Sequence, residues 1–145
     1  MSDVSISQGT FEQASILALA IPELPNVLTP ENYAITLENT PHTILVAKDN
    51  DQFIGFKIAY ALNESTLFIW LTGILPEYRR KGVAKLLLGG VEAWARAHSF
   101  KTIETRMSNH FPQMMEMLMA NGFLVASVEQ TEALNHGLVT LQKPL

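Results

Sequence analysis

The sequence predicts a mixed α/β or α+β domain, and three observations carry that prediction. Strand-length apolar runs first follow one another as hairpins. Helical 3.6-residue periodicity then alternates with short strands. The most apolar run, Leu67 to Leu75, leads through a basic turn into the longest amphipathic stretch. The predicted order is β-α-α-β-β-β-α-β-α-β-β. With 145 residues the expectation is a single domain over 1–145, large enough to bury a full core.

Val4 and Ile6 alternate with polar neighbours and open a short strand. Thr10 followed by Gln13 is a capping box, with Phe11, Ala14, Leu17 and Ala18 at helical spacing behind it. Pro22 and Pro25 stop that helix. Thr29-Pro30-Glu31 starts a second one, with a capping hydroxyl, proline at the first position and an acid in the first turn, running to about Glu38. Thr43 to Ala47 and Phe53 to Ala61 form a hairpin across the Lys48-Asp49-Asn50-Asp51 turn cluster. Thr66 to Ile74 is the third strand of this block, ended by Pro76, which cannot donate to a ladder. Beyond Gly82, Val83, Leu86, Leu87, Val91, Trp94 and Ala95 line one face of a helix reaching about His98. Lys101 to Met107 alternates as a strand. Pro112 opens a methionine-rich helix that Asn121-Gly122 stops, and Phe123 to Val128 and Leu138 to Leu141 close the fold.

Composition narrows the function. Apolar residues make up 48% of the chain and charged ones 17%, which excludes a disordered chain. A net charge of -4 argues against a nucleic-acid surface. There is no cysteine, so disulfides, thiolate metal sites and a cysteine nucleophile are excluded, and a reducing cytoplasm fits. His42, His98 and His136 lack ligand spacing, and no metal site is expected. No stretch resembles a signal peptide or a membrane span of about 20 apolar residues, so no membrane partner is expected.

The chemistry sits in Ile74-Leu75-Pro76-Glu77-Tyr78-Arg79-Arg80-Lys81-Gly82-Val83-Ala84. A helix beginning at Gly82 exposes backbone N–H groups without internal partners, and its dipole adds about half a positive charge. Arg79, Arg80 and Lys81 stand in the same turn, and Gly82 lets a ligand approach the backbone. Together these form a site for a phosphate or pyrophosphate. The plain alternative is a basic surface turn with a glycine for geometry.

Arg79-x-x-Gly82-x-Ala84, between a buried strand and an amphipathic helix, resembles the acyl-CoA-binding motif of the GNAT N-acetyltransferase superfamily. Asn109, a helix and Asn121-Gly122-Phe123 resemble that family's second block, and the element order matches from first strand to last. The resemblance implies a mixed, mostly antiparallel sheet with a V-shaped splay. It implies transfer of an acetyl group from acetyl-CoA to a primary amine of a small molecule or peptide, by direct attack in a ternary complex. Backbone N–H groups from Arg79 through Arg80, Lys81, Gly82 and Val83 to Ala84 would hold the pyrophosphate. The strand ending at Ile74 would pair with the pantetheine amides, an N–H near Ile74 would stabilise the oxyanion, and Asn109 would bond near the pantetheine arm. No metal is implied, and a homodimer is compatible with the family.

Two family positions are filled differently. The strand Thr66 to Gly73 carries no carboxylate to act as base, and the position of the family's acidic tyrosine is Leu118. Glu104, on one strand face with Thr102 and Arg106, and His110 are the candidate proton carriers. Their plain alternatives are an ion-paired surface glutamate and a solvated loop histidine. Tyr33, Tyr78, Trp70 and Trp94 read as packing or anchoring residues, with Trp70 also able to wall an acceptor tunnel. The methionine helix reads as core. The competing function is a non-catalytic acyl-CoA-binding or regulatory module.

Overall fold

Short polar signals start the helices where the sequence places them. In the computed structural model, which describes residues 4–22, 24, 29–108, 112–131 and 136–145, the Thr10 hydroxyl accepts from the Gln13 amide at 3.1 Å. The Gln13 side chain accepts from the Thr10 amide at 3.0 Å. This reciprocal cap opens α1 (Phe11–Leu19), and Thr29 caps α2 (Pro30–Leu37) by accepting from the Asn32 amide at 3.2 Å. The strands are β1 (Val4–Gln8), β2 (His42–Asp49), β3 (Gln52–Ala61), β4 (Thr66–Ile74), β5 (Thr102–Ser108), β6 (Leu124–Thr131) and β7 (His136–Pro144). A 3-10 turn over Pro76–Tyr78 leads toward α3 (Val83–Ala97), and α4 (Pro112–Ala120) follows β5. This is the predicted order.

The strands form one sheet in the order β1-β2-β3-β4-β5-β7-β6. Every pairing is antiparallel except β4 with β5. That parallel ladder is short. It runs from Thr66 opposite Thr102 to Ile69 opposite Thr105 and stops. β5 continues against β7 as far as Ser108 opposite Leu138, while β4 continues against β3 as far as Ile74 opposite Gly55. The sheet therefore opens in a V between Trp70–Ile74 and Arg106–Ser108. An extra residue in β4 marks the start: Ala59 faces Ile69 and Ile58 faces Leu71, leaving Trp70 as the bulge.

Two apolar layers sandwich the sheet. On one face α3 buries Val83, Leu87, Leu88, Val91 and Ala95 against Leu45, Ala59, Leu67, Ile69 and Ile103, joined by Leu118 of α4. On the other face α1 and α2 bury Ala14, Leu17, Tyr33 and Leu37 against Ile44, Val46, Phe56 and Ile58. Two predicted core residues, Leu86 and Met119, are displaced. Leu86 is 47% exposed and Leu88 is 1% exposed, because Leu88 lies a turn before Val91 on the sheet-facing side. Met114, Met115 and Met117 pack against the core as expected, while Met119 points outward. Gly90 accounts for the close seat of α3: a Cβ there would lie 2.8 Å from Leu45 Cδ1 and 3.3 Å from Ile6 Cγ2, whereas Gly89 faces open space.

Candidate active site

The turn after β4 is braced from within. The Leu75 amide donates to the Ile54 carbonyl at 2.9 Å, and Arg79 Nε donates to the Ile74 carbonyl at 3.2 Å. The Tyr78 hydroxyl donates to Gln52 at 3.3 Å, which ties the turn to the start of β3, and Lys81 Nζ lies 5.5 Å from the Tyr78 ring centre. Arg80 and Gly82 both adopt left-handed backbone, φ 62° and 83°. A residue with a side chain is rarely held there, so glycine suits the second position. Gly82 is the N-cap of α3 without a side-chain bond, and its carbonyl accepts from Leu86 at 3.1 Å. The first-turn amides of α3 thus face away from any helical carbonyl, and among the described residues nothing lies within 4 Å of where a Gly82 Cβ would stand. Arg80 Nη2 reaches Gln113 of α4 at 3.5 Å, across the mouth of the V.

Ile74, Arg79, Arg80, Lys81, Gly82, Val83 and Ala84 are therefore brought together at one end of the open edge of β4. The cations do not all aim alike, since Arg79 is folded back onto Ile74. Asn109 and His110 lie outside the described residues.

Glu104 stands below the V, on the face opposite α3. It is 7% exposed, and both carboxylate oxygens are engaged: Oε2 accepts from Arg106 at 3.0 Å and Oε1 from Gln142 at 2.8 Å. Its plain alternative, the ion pair, is what the geometry shows, and the ion pair adjoins the opening. The Arg106 guanidinium lies 5.3 Å from the Phe68 ring centre. From Phe68 an aromatic wall continues through Tyr60 at 5.4 Å, Trp70 at a further 5.8 Å and Tyr33 at 5.9 Å. Tyr33 is 1% exposed and burial raises its hydroxyl pKa, so it packs there as expected. Leu118 is buried in the α3-side core and offers no proton. Among the described residues no three His, Asp or Glu side chains cluster as metal ligands.

One polar pair escaped the sequence reading. Lys57, in the middle of β3, is 3% exposed, and its Nζ donates to Thr72 Oγ1 of β4 at 2.8 Å. Loss of solvent lowers its pKa from 10.5 to about 8. The available signal was a lone cation inside Phe53-Ile54-Gly55-Phe56-Lys57-Ile58-Ala59, a strand otherwise without charge.

The comparisons with known proteins agree with this geometry. L-2,4-diaminobutyric acid acetyltransferase of Marinococcus halophilus is 36% identical over 61 residues, 41% of this chain and 36% of that protein. The enzyme of the same name from Halalkalibacterium halodurans is 30% identical over 88 residues, 59% of this chain and 47% of that protein. The chain thus spans less than half the length of these curated relatives. Among solved structures, Ard1 from Thermoplasma volcanium superposes with a TM-score of 0.84 at 13% identity, covering 98% of this chain and 97% of that one. A GNAT family acetyltransferase from Elizabethkingia anophelis with acetyl-CoA bound superposes at 0.81 and 16% identity, over 100% of both chains. These likenesses show the fold. The description of the Acetyltransferase (GNAT) family matches residues 14–123, from within α1 to the residue before β6, and the chain belongs to that family.

Proposed function

We propose that this chain is an acetyl-CoA-dependent N-acetyltransferase whose acceptor is a primary amine of a small molecule or peptide. One observation carries the reading: the open edge of β4, from Trp70 to Ile74, runs directly toward the amides of α3 at Gly82. A pyrophosphate held by those amides, with Arg80 and Lys81 beside it, leaves a pantetheine arm to lie along β4. Leu71 to Ile74 spans roughly 10 Å at about 3.3 Å per residue. With Ile74 and its neighbours along the arm, the thioester would lie by the Trp70 bulge. The sequence reading puts the oxyanion N–H near Ile74, and the Trp70 bulge, where a strand amide is released from the ladder, is a second candidate for it.

The acceptor enters over the aromatic wall on the opposite face and attacks the thioester directly, in a ternary complex. Its neutral nitrogen bonds to the carbonyl carbon, the C–S bond breaks, and the amine proton passes to Glu104 or His110. The names of the relatives favour a small diamino acid as acceptor, with Arg106 near the V to meet its carboxylate. Cytoplasmic residence and a homodimer belong to the same proposal. The competing reading, a module that binds acyl-CoA without turnover, draws on Leu118 and on the engaged oxygens of Glu104.

Thermal unfolding with acetyl-CoA, CoA and ATP, followed by CoA release across an amine panel that includes 2,4-diaminobutyrate, separates these. A shift selective for the CoA species with thiol release supports the enzyme. A shift without release supports the module, and no selective shift removes both.

A further inference from the structure

We propose that Lys57 and Thr72 form a two-residue proton relay that protonates the coenzyme A thiolate as it leaves. The inference rests on the acetyl-transfer reading and assigns the acid that Leu118 does not supply. Three placements carry it. Lys57 and Thr72 face each other across β3 and β4, and Thr72 lies two residues past the Trp70 bulge, on the part of β4 that β5 has left. Lys57 shares its sheet face with Gly55, where the α3 side chain Leu87 would lie 3.5 Å from an added Cβ. Its partner on β2 is Leu45, which touches the place of a Gly90 Cβ. The ammonium is therefore roofed by α3 and reaches sideways toward the cleft. Thr72 is half-buried, so the pair is closed at the lysine and open at the hydroxyl.

The chemistry suits that direction. Thr72 Oγ1 accepts from Lys57 and still has a proton to give. Leu45 is the β2 partner of Lys57, Gly55 and Ala59 share its face of β3, and the apolar core on that face holds Ile74 with Val83, Leu87, Leu88 and Val91 of α3. None of these groups titrates or carries charge. An isolated buried cation of this kind costs stability, which makes a purely structural role a poor reason to hold it. In the step itself, the C–S electron pair goes to sulfur and sulfur takes the Thr72 proton. Thr72 takes one from Lys57, and neutral Lys57 regains its proton from water after CoA–SH leaves.

The test uses the full chain, with Lys57→Met and the near-isosteric Thr72→Val. With a turned-over amine, kcat should fall about 100-fold in each variant. The double variant should fall no further, and the KM for acetyl-CoA should stay within about threefold of wild type. The wild-type kcat should decline above about pH 8, where Lys57 empties, and that limb should vanish in Lys57→Met. CoA alone gives a second readout: the thiolate absorbance of bound CoA should appear at least about one pH unit lower in wild type than in Lys57→Met. Unchanged kcat in either variant, or an unchanged thiol titration, overturns the relay while leaving acetyl transfer standing. Acetylation of Lys57 itself by acetyl-CoA also overturns it, since the amine would then be an acceptor. If wild type binds no CoA, the functional reading falls and the relay with it.

Discussion

The two faces of the opening in the sheet are built by different rules. On the α3 side, backbone does the work: a bulge at Trp70, a short parallel ladder and a left-handed Gly82 put the first-turn amides of α3 in line with a strand edge that, among the described residues, β5 has left. On the opposite side the surroundings are side chains, with Tyr60, Phe68 and Trp70 as a wall and Arg106, Glu104 and Gln142 as a bonded set beside it. A backbone site tolerates many sequences but needs glycine at one place and a chain direction at another. A side-chain site is specified by residue identity and by contacts distant in sequence, such as Glu104 with Gln142. The first kind suits a ligand that is constant, the second one that varies.

The sharpest break of this contrast is to reverse charge at the backbone site. Arg80→Glu with Lys81→Glu leaves the Arg79 brace on Ile74 intact, so the turn should keep its shape. Charged hydrogen bonds contribute about 1.5–3 kcal/mol each, and acetyl-CoA affinity should drop by about 100-fold or more in a calorimetric titration. The unfolding midpoint without ligand should hold within about 2 °C. Unchanged affinity would mean that the turn is only a basic surface, and the distinction between the two faces would lose its donor half.

The next effect is on stability. In the native chain Lys57 titrates at about 8 rather than 10.5, because burial disfavours its charged form. Between about pH 8 and 10.5 the unfolded chain therefore holds the proton that the native chain has lost, and stability rises with pH across that window. Below pH 8 the penalty is fully present. At about 1.4 kcal/mol per pH unit of separation it amounts to roughly 3 kcal/mol. Lys57→Met should raise the denaturant-derived stability at pH 7 by up to that amount and flatten its rise toward pH 10. A loss of stability instead would show that the ammonium is better solvated than its burial implies.

On the acceptor side, Glu104→Gln separates proton transfer from bracing. As the proton acceptor, Glu104 should lose about 100-fold in kcat on this change, with acetyl-CoA affinity retained. A drop in unfolding midpoint with unchanged kcat would make Glu104 the brace that aims Arg106 and move the proton to His110. The geometry makes this a fair contest, because each Glu104 oxygen accepts one bond and keeps a lone pair for a proton, while protonation would give up the charge that holds Arg106.

The same contrast explains what the sequence disclosed. Caps, breakers and period-2 runs act locally, so the element order and the Thr10 and Thr29 starts were legible residue by residue. The turn into α3 at a left-handed Gly82 was legible because glycine and three cations sit in consecutive positions. The ladder's end at Ile69 was not, since it depends on where β5 and β7 agree to pair. Neither was the engagement of Glu104, whose partner Gln142 comes from the far end of the chain, nor Lys57, whose burial follows from the seating of α3. The Leu86 and Leu88 exchange has the same origin: periodicity fixes the apolar stripe within about one residue, and only contact with the sheet chooses its centre.

That seating gives the smallest and cleanest test. Gly89 and Gly90 are adjacent in α3 and equal in helix propensity, each costing about 1 kcal/mol relative to alanine. A methyl on Gly89 meets nothing within 4 Å, so Gly89→Ala should raise stability by about 1 kcal/mol. A methyl on Gly90 would stand 2.8 Å from Leu45 Cδ1 and 3.3 Å from Ile6 Cγ2, both packed between the helix and the first strands. Overpacking of that kind costs about 1–3 kcal/mol, so Gly90→Ala should come out near neutral to about 2 kcal/mol destabilising. Because Leu45 is also the β2 partner of Lys57, lifting α3 at Gly90 loosens the roof over the ammonium. Gly90→Ala should therefore also move the alkaline limb of kcat upward, toward the ordinary lysine range, while Gly89→Ala leaves it in place. Equal behaviour of the two alanine variants in stability and in pH profile would mean that α3 does not seat the donor side of the cleft through Gly90.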